Sequence, residues 1–189
     1  MDYVIPAPEQ VSVAVVGETA RYPVRRIFCV GRNYVAHIRE MGGDERDPPF
    51  YFCKPTDAIV PTGGTIDYPP QTGNFHYEME LVAAIGKGGA NISEEDALDH
   101  VYGYATGLDM TRRDVQIAHR EKGRPWDMGK GFDQSAPCGD IHPVADVGHF
   151  PKGNLWLKVN GETKQDSDLE LMIWNLQETI ANLSGLVTL

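Results

Sequence analysis

The sequence is short of cysteine, of positive charge and of long apolar runs, and each shortage closes off a class of protein. Its three cysteines, Cys29, Cys53 and Cys138, are odd in number and include no C-x-x-C pair. That argues against a disulfide framework and a four-ligand zinc site, and leaves reduced, buried thiols as the expected state. Lysine and arginine total 17 against 27 aspartates and glutamates, a net charge of −10. Such a chain lacks the basic face that displaces counterions from nucleic acid or anionic membrane, so neither partner is expected. No apolar stretch approaches the ~20 residues needed to span a bilayer. The opening Met1-Asp2-Tyr3-Val4-Ile5-Pro6 has no basic segment leading into an apolar one, so a cytoplasmic protein is the expectation. Repeats, low-complexity tracts and linkers are also missing, and residues 1–189 read as one domain with a real core.

What is there is mostly strand. Val11 to Val16, Arg26 to Val30, Tyr51 to Cys53, Glu78 to Ile85, Val101 to Leu108 and Leu155 to Val159 are short, β-branched or aromatic, and bounded by Gly, Pro or Asn. Asn160-Gly161 is a hairpin signal, because both central positions of a type I′ turn need φ > 0. Helices are fewer: Tyr34 to Met41, a capping-box start at Ser93 running towards His100, Thr111 to Lys122, and an amphipathic stretch over Leu169 to Leu183. Pro69 to Asn74 and Gly139 to Gly153 read as loops. The sum is a predominantly β, α+β fold without alternating βαβ units, which disfavours a dinucleotide-binding sheet. Gly86-Lys87-Gly88-Gly89 and Gly129-Lys130-Gly131 lack the spacing of a phosphate loop.

The chemistry concentrates in His76-Tyr77-Glu78-Met79-Glu80-Leu81-Val82-Ala83-Ala84-Ile85-Gly86. On a strand, Glu78 and Glu80 share a face about 7 Å apart and lead into an apolar run, so a positive charge between them is needed unless that face is solvated. All-oxygen sites suit Mg²⁺, Mn²⁺ or Ca²⁺. Asp109 closes the strand Tyr102 to Leu108 with a third carboxylate, serving either as a further hard ligand or as a helix cap. On a helix over Tyr34 to Met41, His37 and Glu40 are i, i+3 neighbours: a surface ion pair, or an imidazole oriented as a water-activating base. Lys130, between two glycines, is a solvated loop lysine or a cation for a developing oxyanion.

Taken together, Gly31-Arg32-Asn33-Tyr34 with His37 and Glu40, Phe52 to Pro55, His76 to Gly86, Gly103 to Gln116, Lys122 to Phe132 and Trp156 to Gly161 resemble the fumarylacetoacetate hydrolase family, in its acylpyruvase and fumarylpyruvate hydrolase branch. The resemblance implies a mixed β-sheet roll, a homodimer, and Mg²⁺ or Mn²⁺ held by Glu78, Glu80 and Asp109. It implies His37 and Glu40 as the base dyad, Lys130 beside the metal and Gln116 at the substrate; Arg32 or Lys54 would help balance an anionic substrate. The implied activity is metal-dependent hydrolysis of the C–C bond of a 2,4-dioxo acid, with fumarylpyruvate, an intermediate of gentisate breakdown, foremost. Decarboxylation or tautomerisation of a 2-oxo acid such as oxaloacetate on the same site is the alternative. Family members continue with a strand and a Gly-Thr-Pro segment beyond the point where this sequence reaches Leu189. The expectation is a longer natural chain; the alternative is a catalytically silent member.

Overall fold

The computed structural model describes residues 2–34 and 47–189. Its centre is the antiparallel pair β7 (Met79–Ile85) and β8 (Val101–Leu108), in register from Met79 opposite Leu108 to Ala84 opposite Gly103. The far flank of β8 is shared by β10 (Ala136–Cys138) and β11 (His142–Pro143), and β10 continues in parallel to β5 (Ile59–Pro61). The sheet is therefore mixed. Around it stand four antiparallel two-stranded pieces. They are β1 (Ser12–Ala14) with β2 (Arg21–Pro23), β3 (Ile27–Gly31) with β4 (Phe50–Lys54), β6 (Phe75–His76) with β9 (Thr111–Arg112), and β12 (Asn154–Val159) with β13 (Glu162–Asp168). The described helices are short: α1 (Arg113–Glu121), α2 (Asp127–Lys130), α3 (Val144–Val147) and α4 (Leu176–Leu186). None is long and apolar enough to cross a membrane.

The run Leu81-Val82-Ala83-Ala84-Ile85 is apolar on both alternations because the sheet is covered on both faces. Ala84 and Ala105 on one face join Val13, Val15, Val24 and Ile141. Leu81, Ala83 and Tyr104 on the other meet Ile92, Ala97 and Ile180 of α4.

Several expectations need correction, among them the loop read over Gly139 to Gly153, which carries β11 and α3. The stretch from Leu169 to Leu183 is not one helix: a 3₁₀ turn over Leu169–Leu171 ends, and α4 starts afresh after Asn175. Asn175 Oδ1 accepts from Glu178 N while Glu178 Oε2 accepts from Asn175 N, a capping box that fixes a new helix start. Ser93 to His100 yields only a 3₁₀ turn over Ala97–His100. Lys130 lies in α2 rather than a loop. The expected helix from Tyr34 to Met41, with His37 and Glu40, falls outside the described residues save for Tyr34.

One cavity of about 780 Å³ opens beside β7. Residues 80–86 and 26–30 line it in unbroken succession, so it meets β7 and β3 along their edges and not on a single face. Its polar end carries Lys54, Glu80 and Asp109.

Candidate functional site

The β7–β8 register builds the site. Glu80 stands opposite Gly107, and Asp109 N donates to Glu78 O at 2.8 Å, which extends the pairing one step so that Glu78 faces Asp109. Directly opposed residues and i, i+2 neighbours project from the same face, so all three carboxylates share one. Gly107 leaves that face open beside Glu80; a Cβ there would fall 2.7 Å from Val82 Cγ2. The ladder is interrupted at this point. Tyr77 and Glu78 belong neither to β6 nor to β7, and pairing resumes at His76 opposite Thr111.

Buried carboxylates cost several kcal/mol each unless cations meet them, to order of magnitude. Here three cations do. Lys130, 2% exposed, sets Nζ 2.8 Å from Glu78 Oε2 and 2.7 Å from Asp109 Oδ2. Lys54, also buried, lies with Nζ 2.9 Å from Asp109 Oδ1 and donates to the carbonyls of Met110 and Lys130. Arg113, in the first turn of α1, pairs with Glu78 Oε1 and donates to Gln116 Oε1 at 2.5 Å. One chain of alternating charge thus runs Gln116, Arg113, Glu78, Lys130, Asp109, Lys54.

Glu80 is the member with no cation paired to it among the described residues. Burial, aided by the like charges of Asp109 and Glu78, pushes its carboxyl up to about 8. Burial also raises Asp109, against the pull of Lys54 and Lys130. Glu78 is held below the usual range in spite of burial, because Lys130 and Arg113 both attract its charged form. Lys54 is lowered by burial, with Asp109 pulling the other way. The neighbouring Cys29 thiol is raised to about 12 by burial and the charge of Asp109.

The expected residues are accordingly placed as follows. Glu78, Glu80, Asp109 and Lys130 come together. Gln116 is buried and joined to them through Arg113. Arg32 is not drawn in: at φ 56 beyond the end of β3, its guanidinium sits 5.9 Å from the Phe50 ring centroid. His37 and Glu40 lie outside the described residues. The three carboxylates also fall short of the convergence expected of them, since no three acidic, histidine or cysteine side chains among the described residues stand so as to hold an ion. The reason is electrostatic: the ammonium of Lys130 takes the place between Glu78 and Asp109.

The donor set still fits a hard divalent cation. It is all oxygen, and Glu80, with no ion pair among the described residues, is pushed upward by burial and by the like charges of Asp109 and Glu78. Sequence reading assigned no role to Arg113, although its i, i+3 spacing to Gln116 on a helix that starts beside Asp109 was a usable signal.

Known proteins give the same arrangement a family. Residues 26–189 match the family described as fumarylacetoacetate (FAA) hydrolase C-terminal. Over 135 residues the chain is 52% identical to a fumarylpyruvate hydrolase of Ralstonia sp, spanning 71% of this chain and 70% of that one. It is 41% identical over 165 residues to the mitochondrial oxaloacetate tautomerase of Homo sapiens, spanning 87% of this chain and 75% of that one. Among solved structures, the fumarylpyruvate hydrolase of Pseudomonas aeruginosa in complex with Mn²⁺ and pyruvate matches with a TM-score of 0.95 and 53% identity. That match covers 100% of this chain and 83% of the other. The fold, the site on the β7–β8 face and these likenesses together make the chain a member of the fumarylacetoacetate hydrolase family.

Proposed function

We propose that this chain is a divalent-metal-dependent hydrolase that cleaves the C–C bond of a 2,4-dioxo acid, fumarylpyruvate, to fumarate and pyruvate. The observation that carries the reading is a sheet face on which three carboxylates gather, two of them, Glu78 and Asp109, tied to three buried or half-buried cations while Glu80 is left to a metal. With all three carboxylates ionised, as metal ligation requires, Glu78, Glu80 and Asp109 against Lys54, Lys130 and Arg113 leave the site near neutrality. A divalent ion would bring it to about +2, which complements a dianionic dioxo acid. The likeness to fumarylpyruvate hydrolases at 52% and 53% identity supports that substrate over the oxaloacetate of the 41% identical tautomerase.

Glu78, Glu80 and Asp109 would hold Mg²⁺ or Mn²⁺, which supplies a Lewis acid for the 2-oxo acid end of the substrate. In the proposed reaction His37, oriented by Glu40, takes a proton from water, and the hydroxide adds to the 4-oxo carbon. Lys130 and the carboxamide of Gln116 donate to the oxygen that gains charge there, at about 3 kcal/mol per donor. Arg113 fixes Gln116 through its Oε1, which leaves the carboxamide NH₂ as the donor. The C3–C4 bond then breaks; the electron pair passes to the pyruvate half, which is protonated to pyruvate, and the acyl half leaves as the acid. The same reading makes the protein a cytoplasmic homodimer serving gentisate breakdown.

The test is loss of β-diketone absorbance from fumarylpyruvate with Mn²⁺, with Mg²⁺ and with chelator, beside oxaloacetate. Metal-dependent hydrolysis with oxygen from water entering fumarate is expected, and His37→Ala should slow it by roughly 10²–10⁴-fold. Turnover of oxaloacetate alone, unaffected by His37→Ala, would replace this reading with the tautomerase or decarboxylase one.

A further inference from the structure

The carboxylate of Glu78 is held on a piece of backbone that, among the described residues, no strand supports from outside. Successive peptide groups of an extended chain point to alternate edges. Glu78 O turns towards β8 and accepts from Asp109 N, so Tyr77 O and Met79 N turn to the opposite edge, where β7 has no strand partner among the described residues. A side chain fills that place. Gln165 of β13 accepts from Met79 N through Oε1 at 2.8 Å and donates from Nε2 to Tyr77 O at 3.5 Å, the longer and weaker of the two bonds. Its carboxamide thus grips the backbone on both sides of Glu78, as a neighbouring peptide would.

The hairpin is shaped to present it. Leu157 faces Gln165 but Lys158 faces Thr163, so Lys164 is an extra residue beside Gln165. Such bulges re-aim the side chains next to them and recur beside active sites. We propose that Gln165 is a positioning residue for Glu78: it fixes the peptide planes that aim this carboxylate at Lys130, Arg113 and a bound divalent cation. The inference rests on the reading of Glu78 as a metal ligand. Groups that orient ligands from behind are typically worth 10–100-fold in metal affinity.

The experiment titrates metal-free protein with Mn²⁺ alone, by calorimetry or loss of the free-ion paramagnetic signal, and follows the metal-free melting curve in parallel. Gln165→Met, which removes both bonds at similar volume, should weaken Mn²⁺ binding about tenfold while the metal-free protein still melts cooperatively. Gln165→Glu keeps the acceptor for Met79 N and should stay close to wild type. Mn²⁺ binding by a folded Gln165→Met within about twofold of wild type would overturn the proposal, as would a loss in Gln165→Glu as large as that in Gln165→Met. Should Gln165→Met not fold, Gln165→Glu decides alone: retained affinity supports the proposal and a tenfold loss overturns it. Glu78→Gln separates the premise from the inference. If that variant binds Mn²⁺ normally the metal reading itself fails; if it loses binding while Gln165→Met does not, only the role of Gln165 is lost.

Discussion

Lys54 shows most directly how a residue's setting decides its worth. A lysine on the exposed face of β4 would contribute little, since solvated ion pairs are worth about 0–1 kcal/mol. This one is 4% exposed, touches Asp109 and closes two carbonyls. Replacing Lys54 by Met leaves Asp109 with Lys130 as its one cation and should destabilise the fold by about 3 kcal/mol. A calorimetric melting temperature lower by roughly 6–12 °C checks it, and a shift under about 2 °C would contradict the buried pair. The residue scale is also where reading from sequence succeeded unevenly. Glu78 and Glu80 could be placed on one face because strand periodicity is rigid, whereas Asp109, readable as ligand or helix cap, joins that face only through the register that sets it opposite Glu78. Arg32 could not be placed: a left-handed φ of 56 turns it out of line with β3, and nothing in the residue type announces that. Arg113 reaches back to Glu78 only because α1 begins immediately after β9.

At the scale of elements, local chemistry was legible where it is self-contained. Asn160 and Gly161 adopt φ of 53 and 82, the left-handed pair their turn demands, and the hairpin follows. Its second strand, Glu-Thr-Lys-Gln-Asp-Ser-Asp, has no apolar alternation; pairing with β12 alone makes it a strand. The opposite happened after Leu169, where an apolar stripe suggested one continuous helix. The capping box at Asn175 and Glu178 outranks the stripe, because it supplies partners to donors that a helix start leaves free. Asn175→Ala should therefore cost about 1 kcal/mol, read as a lower urea midpoint at unchanged slope. No measurable change would mean that the start of α4 is fixed by packing of Ile180 and Leu176 alone.

At the scale of the molecule, sequence reading reached the mixed, predominantly β character but not how the pieces adjoin. The parallel neighbours β5 and β10 are 77 positions apart at their aligned residues Ile59 and Ala136, and nothing local in either strand marks the other. The cavity beside β7 is likewise a property of assembly. Residues 80–86 of β7 line it along their whole length, and this separates depth from protection. β8 has partners on both flanks, whereas β7 is bonded to a strand on one among the described residues. In heavy water the amides of β8 should therefore keep their protons longest, while alternate amides of β7 trade theirs early despite lying inside the protein. Met79, whose N–H is taken by Gln165, should be the slow exception at the start of that strand. Mass-resolved exchange that finds β7 uniformly as slow as β8 would mean that water does not enter the cleft.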